Sequence, residues 1–151
     1  MAGNAAALGA FQSAADLLGG RAVLRARPAS TLDWIELIRK GISSGAIDSI
    51  LKTMQLSQAD LARVLGIPER TLARRKREGV LNSEESAKLV RLARVVGRAN
   101  EVFEDPKAAL QWLKAPNTAL SGAAPLSLLD TEIGAESVLD TLGRIEHGVF
   151  A

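Results

Sequence analysis

Residues 57–77, SQADLARVLGIPERTLARRKR, are the segment whose residue types and spacing could act on another molecule. Read as two helices joined at Gly66, the segment turns Leu72 inward. Arg70, Thr71, Arg74 and Arg77 then face outward, with Arg75 and Lys76 adding charge beside them. Guanidinium groups suit phosphate oxygens and guanine edges, so the predicted chemistry is non-covalent binding of duplex DNA through a helix in the major groove. Ser57 and Gln58 at the start of the first helix, and Glu69 at the start of the second, complete the candidate DNA-binding set. The alternative is a capped helical hairpin whose basic face is merely solvated.

Bond-making chemistry is poorly supplied. His147 is the only histidine and cysteine is absent, which removes most acid–base and nucleophile arrangements and any thiolate zinc site. Asp130 and Glu132 stand two apart, but a solvated helix terminus accounts for them. No phosphate-binding glycine loop and no dinucleotide fingerprint occurs. The chain is therefore expected to be a non-enzyme with no cofactor and no metal, and His147 a hydrogen-bonding residue at a helix end.

The elements that must position the basic helix follow from caps and breakers. Ser57 with Asp60 reads as a capping box, opening a helix to Leu65 on which small Ala62 permits a close crossing. Gly66 supplies a left-handed turn and Pro68 a fixed φ for entry into the second helix. Upstream, a helix from Ser30 to Gly41 carries Trp34, Ile35 and Ile38 along one side. A second helix, about 44–54, buries Ile47, Ile50 and Leu51, and the two form a supporting core. Downstream, Asn82 and Glu85 cap a long helix over 83–103 with Leu89, Leu92, Ala93 and Val96 at i, i+3, i+4, i+7. Asp105-Pro106 opens the next helix and marks a boundary near residue 104. The fold class is all-α, organised as a flexible leader (1–30), a helix-turn-helix domain (31–104) and a small helical C-terminal domain (105–151).

Charge divides along the same lines. Residues 52–100 hold eleven Lys/Arg against five Asp/Glu, whereas residues 101–151 hold three against eight. A basic middle displaces counterions from a phosphate backbone, while an acidic tail is repelled by DNA and suits a protein partner. Without cysteine the chain fits a reducing, cytoplasmic compartment, and no apolar run approaches the roughly twenty residues that span a bilayer.

The C-terminal stretch QWLKAPNTALSGAAPLSLLDTEIGAESVLDTLGRIEHGVFA has its own physical logic. Pro116 and Pro125 bracket a short helix, Gly134 is read as a break, and Val138, Leu142 and Ile145 follow helical spacing on a last amphipathic helix. Val149-Phe150 beyond Gly148 would be a loose apolar end if exposed, so burial is expected, in a dimer or in a partner's cleft.

Gln58, Ala62, Gly66 and Leu72 stand at the offsets of phage-repressor-like (Xre) helix-turn-helix regulators, which the segment resembles. It departs from that pattern at Arg75, where the family is usually apolar. The resemblance strengthens downstream. Trp112-Leu113, Pro116-Asn117, Leu120, Gly122, Pro125-Leu126, Leu129-Asp130-Thr131, Gly134 and Arg144-Ile145-Glu146-His147-Gly148-Val149-Phe150 resemble the toxin-binding domain of Xre/MbcA/ParS antitoxins. Such a family implies the antitoxin of a type II module, a homodimer within a larger complex. It would sterically block a RES-domain, NAD-consuming toxin and repress its own operator DNA through two recognition helices. The toxin-binding residues implied are Trp112, Asn117, Asp130, Thr131, Glu136, Arg144, Glu146, His147, Gly148, Val149 and Phe150. The competing reading is a stand-alone regulator whose C-terminal domain dimerises or senses a ligand.

Overall fold

Side-chain caps set the helix starts. Ser30 Oγ accepts from the Asp33 amide, Ser57 Oγ from Asp60, Asn82 Oδ1 from Glu85, Asp105 Oδ1 from Lys107 and Thr131 Oγ1 from Gly134. Each satisfies an amide that the first helical turn leaves unpaired. The computed structural model describes residues 11–148. It runs through a helix over residues 11–17 (α1), then α2 Gly20–Leu24, α3 Thr31–Lys40, α4 Gly45–Met54, α5 Gln58–Leu65, α6 Glu69–Glu78, α7 Ser83–Phe103 and α8 Pro106–Lys114. Two 3-10 turns, Thr118–Leu120 and Pro125–Leu128, lead to α9 Glu132–Glu146. The capping box at α7 is complete in both directions. At α5 only half of the predicted box forms, because the Asp60 carboxylate turns to Arg63 instead of back to the cap.

α7 is the spine. Its 21 residues make about 30 Å of helix, and it packs on α3, α5, α8 and α9. Leu89, Val90, Leu92, Ala93, Val95, Val96 and Ala99 are buried along it, so the stripe read from sequence is the core seam. One continuous apolar cluster extends from Ala14 and Leu18 through Ile47, Leu61 and Leu89 to Leu113 and Leu142. The chain reverses at Glu104, which adopts φ 57, next to the boundary expected there. No described helix is long and apolar enough to cross a membrane.

Three expectations are corrected. Within the leader, residues 11–17 and 20–24 are helical and the segment is packed, with Ala14, Leu17, Leu18 and Leu24 buried. The Ser49 hydroxyl donates to the Leu17 carbonyl at 2.8 Å, and Phe11 stacks on Trp34 at 5.5 Å. The reason is a short apolar repeat, Phe11, Ala14, Ala15 and Leu18, in a segment dominated by small residues. On α3, Trp34 is buried but Ile35 lies 37% exposed, because Leu37 and Ile38 take the inward face with it. Gly134 does not break the chain. It sits in the first turn of α9, where a Cβ would stand 1.8 Å from the Leu128 carbonyl oxygen.

Candidate functional site

α6 is held in the molecule by Leu72, its one buried residue. Arg70, Arg74 and Arg77, at i, i+4 and i+7, lie on the opposite side and are exposed, forming a single basic stripe along the helix. Arg74 Nε reaches Glu78 Oε1 at 3.2 Å with both side chains substantially exposed, a weak pairing that a phosphate can replace. Thr71 is half-buried at the edge of the stripe and Glu69 is exposed at its N-terminal end.

Arg75 and Lys76, read from sequence as additional outward charge, turn inward. Arg75 Nε donates to Glu85 Oε1 at 2.8 Å and its Nη1 to Glu78 Oε2 at 3.0 Å, and the Arg75 and Glu85 side chains are only 19% and 9% exposed. Arg75 follows Leu72 by three and so shares its face. The two carboxylates raise the Arg75 pKa, the Glu85 hydrogen bond foremost. Lys76 Nζ donates to Gln58 Oε1 at 3.3 Å and lies 3.0 Å from Asp48. Ser57 uses its hydroxyl as a cap.

The C-terminal candidates do not converge on one spot. Trp112 is half-buried and tilted on Phe103 at 5.7 Å. Asn117 caps a 3-10 turn by accepting from the Ala119 amide at 2.9 Å, and Thr131 caps α9. Asp130 is exposed beside the α5–α6 turn, where a Cβ on Gly66 would lie 3.6 Å from the Asp130 Cβ. Glu136, Arg144, His147 and Gly148 are exposed, Gly148 with φ 74, while Val149 and Phe150 lie outside the described residues. α9, with 15 residues, separates Asp130 and Thr131 from His147 by about 20 Å.

Glu146 forms a fork with Arg98, at 2.6 Å to Nη2 and 2.9 Å to Nη1. That hydrogen bond lowers the Glu146 pKa, whereas burial raises that of neighbouring Glu101 despite the same guanidinium. Sequence reading named Glu136 and Arg144 but missed Ile133 and Asp140 beside them on α9. Ile133 is 77% exposed and shares an outward face with Glu136, Asp140 and Arg144; the signal was their spacing of three, four and four.

The two halves touch. Lys88 Nζ donates to the Gly66 carbonyl at 3.3 Å, Arg91 Nε to the Leu129 carbonyl at 3.1 Å and Arg91 Nη1 to Glu132 at 3.3 Å. Lys114 Nζ reaches the Gln55 carbonyl at 3.3 Å. The α5–α6 turn and the entry to α9 are thus tied through α7.

Known families divide the chain at this spine. Residues 33–94 match the antitoxin Xre-like helix-turn-helix domain, and residues 98–148 match the antitoxin Xre/MbcA/ParS C-terminal toxin-binding domain. Antitoxin Xre of Yersinia enterocolitica is 40% identical over 119 residues, 78% of this chain and 80% of that protein. The chain belongs to the Xre antitoxin family. Antitoxin Xre of Photorhabdus laumondii is 35% identical over 117 residues, covering 76% of this chain and 79% of that protein. The Prs ADP-ribosylating antitoxin of a Sphingobium species is 28% identical over 133 residues, covering 82% and 84%. This Xre antitoxin therefore carries its basic stripe within the helix-turn-helix domain and its acidic last helix within the toxin-binding domain. The two matches meet on α7, so that helix serves both domains.

Proposed function

We propose that this Xre antitoxin blocks a RES-domain, NAD-consuming toxin in the cytoplasm and, as a homodimer within the toxin–antitoxin complex, represses its own operator through α6. One observation carries the toxin half of this reading: the outer face of α9, with Ile133, Glu136 and Asp140 exposed, lies within the toxin-binding domain. An apolar side chain rimmed by carboxylates suits a basic cleft, and a cleft that receives a nucleotide's phosphates is basic. Inhibition by covering needs no chemistry from the antitoxin.

The Prs ADP-ribosylating antitoxin among the relatives favours a second reading, in which the partner toxin transfers ADP-ribose to a protein. Protein-attached ADP-ribose in toxin-expressing cells separates that chemistry from consumption of free NAD.

The test is native mass spectrometry of the tagged protein from its host, followed by truncation. Removing residues after Gly143 also removes the Arg98–Glu146 fork, so the informative truncation ends at His147. Loss of the second chain and of protection from toxin expression is the expected outcome. Survival with an intact complex shows that the end is not the blocking element. For the DNA half, replacing Arg70, Arg74 and Arg77 singly with alanine should weaken operator binding. Each change should lower the slope of log affinity against log salt by about one, the share of a single neutralised phosphate. An unchanged slope removes α6 from the phosphate backbone.

A further inference from the structure

α6 buries one side chain, Leu72, and is followed by Gly79 at φ 93. Past α6 the Ser44 amide donates to the Gly79 carbonyl at 3.0 Å and the Leu81 amide to the Ile42 carbonyl at 2.9 Å, which anchors the end of the helix but leaves its rotation about Leu72 to polar side chains. What opposes rocking is Arg75. Its Nε meets Glu85 Oε1, the same oxygen that accepts the Asn82 amide at 2.9 Å in the α7 capping box. One carboxylate thus closes the N-terminus of α7 and holds the back of α6. Glu85 is 7% exposed, and a pair so little exposed is screened less by salt than the arginine stripe on the outer side. On the adjoining side, Lys76 reaches Asp48 on α4 and Gln58 on α5.

We propose that Arg75 is a positioning residue for operator recognition: the Arg75–Glu85 pair sets the angle at which α6 presents Arg70, Arg74 and Arg77. This rests on the reading of α6 as a DNA-recognition helix. The consequence is selective. Phosphate contacts by flexible arginines tolerate a rocking helix, whereas contacts to base edges need their groups held within about 10–20°. Loosening the pair therefore costs sequence preference before it costs affinity for DNA in general.

Glu85 lies behind α6 and its carboxylate repels phosphate, so its replacement removes no direct contact with the duplex. Glu85→Gln keeps an oxygen for the Asn82 amide, so the α7 cap survives, but Arg75 then meets the same oxygen as a neutral acceptor and loses the stronger, charge-assisted bond to a carboxylate. The chain also becomes more positive, which alone would tighten DNA binding. Two duplexes serve as probes for the full-length chain, one from immediately upstream of its gene and one scrambled with the same composition. Fluorescence anisotropy over a salt series reads both affinities, and circular dichroism checks helicity.

With E85Q the preference for the upstream duplex should fall about tenfold, within the range of one bidentate base contact. Affinity for the scrambled duplex should stay level or rise. Arg75→Lys preserves charge but not the guanidinium fork that reaches both Glu85 and Glu78, and should act in the same direction. Preference retained within twofold in both variants, with helicity intact, overturns the proposal. A wild-type chain that prefers neither duplex removes the DNA-recognition reading itself, and the proposal with it.

Discussion

The Arg98 guanidinium is shared between two acids with opposite titration behaviour. Glu146 has its pKa lowered by the Arg98 hydrogen bond, from an ordinary value of 4.5, so its contribution to stability is present above that value and is lost as pH falls through the lower folded pKa. Glu101 is raised by burial, so its contribution is largest at low pH and fades as pH rises. The two slopes oppose, and Glu146→Gln isolates the first. Because Glu146 is 37% exposed, the effect at neutral pH is about 0.5 kcal/mol after screening, or about 2 °C in melting temperature for a chain this long. Thermal melts of wild type and E146Q should therefore differ at pH 7 and draw together as pH falls below the ordinary value of 4.5; a gap that does not shrink in acid excludes the fork as its source. At this scale the caps at Ser30, Asn82 and Asp105 were legible, since they act through neighbours a few residues away; the Thr131 cap was not, because Gly134 read as a break. Nor were Arg75 and Lys76. Sequence places them on α6 but does not say that Glu85, ten residues on, and Asp48, on another helix, receive them.

Among elements, α9 has two glycines with opposite meanings. A Cβ on Gly134 would stand 1.8 Å from the Leu128 carbonyl oxygen, a backbone atom, whereas a Cβ on Gly143 meets nothing within 4 Å. Gly134→Ala must therefore displace the entry to α9 from the 3-10 turn before it, an overpacking cost of about 1–3 kcal/mol. Gly143→Ala should instead stabilise the helix by about 0.5–1 kcal/mol through reduced backbone entropy in the unfolded chain. Melting temperatures moving in opposite directions check both assignments, and a neutral G134A would mean that the close approach does not exist in solution. A lone glycine in sequence reads as a break, because only the packed partner reveals whether it supplies a bend or makes room. The helices α3 to α8 were legible for a different reason: each has its own cap, stop or apolar period. α1 and α2 escaped because alanine and glycine dominate the first residues, and their few leucines gain meaning only against α4.

The whole molecule hangs its two surfaces on one helix. α6 is held at the N-terminal end of α7 through Glu85, while α9 runs from the middle of α7, with Glu132 on Arg91, toward its C-terminal end, with Glu146 on Arg98. α7 is about 30 Å long; the entry to α9 sits by the α5–α6 turn, and the helix then runs toward the far end of α7, so a protein along α9 and a duplex against α6 need not cover the same surface. The opposite charges of the two regions sharpen the separation, since each attracts a partner that the other repels. Reversing the α9 face with E136K and D140K should therefore act asymmetrically. Toxin association should slow, on the order of tenfold at low salt and less at high salt, because a complementary field acts chiefly on the encounter rate. Operator binding should hold level or tighten, because the same change removes negative charge from a molecule approaching phosphate. Stopped-flow association with purified toxin and anisotropy with operator DNA read the two effects on one double variant. If both partners are lost together, the surfaces are not independent and α7 couples them; if neither changes, the toxin docks elsewhere than on the outer face of α9.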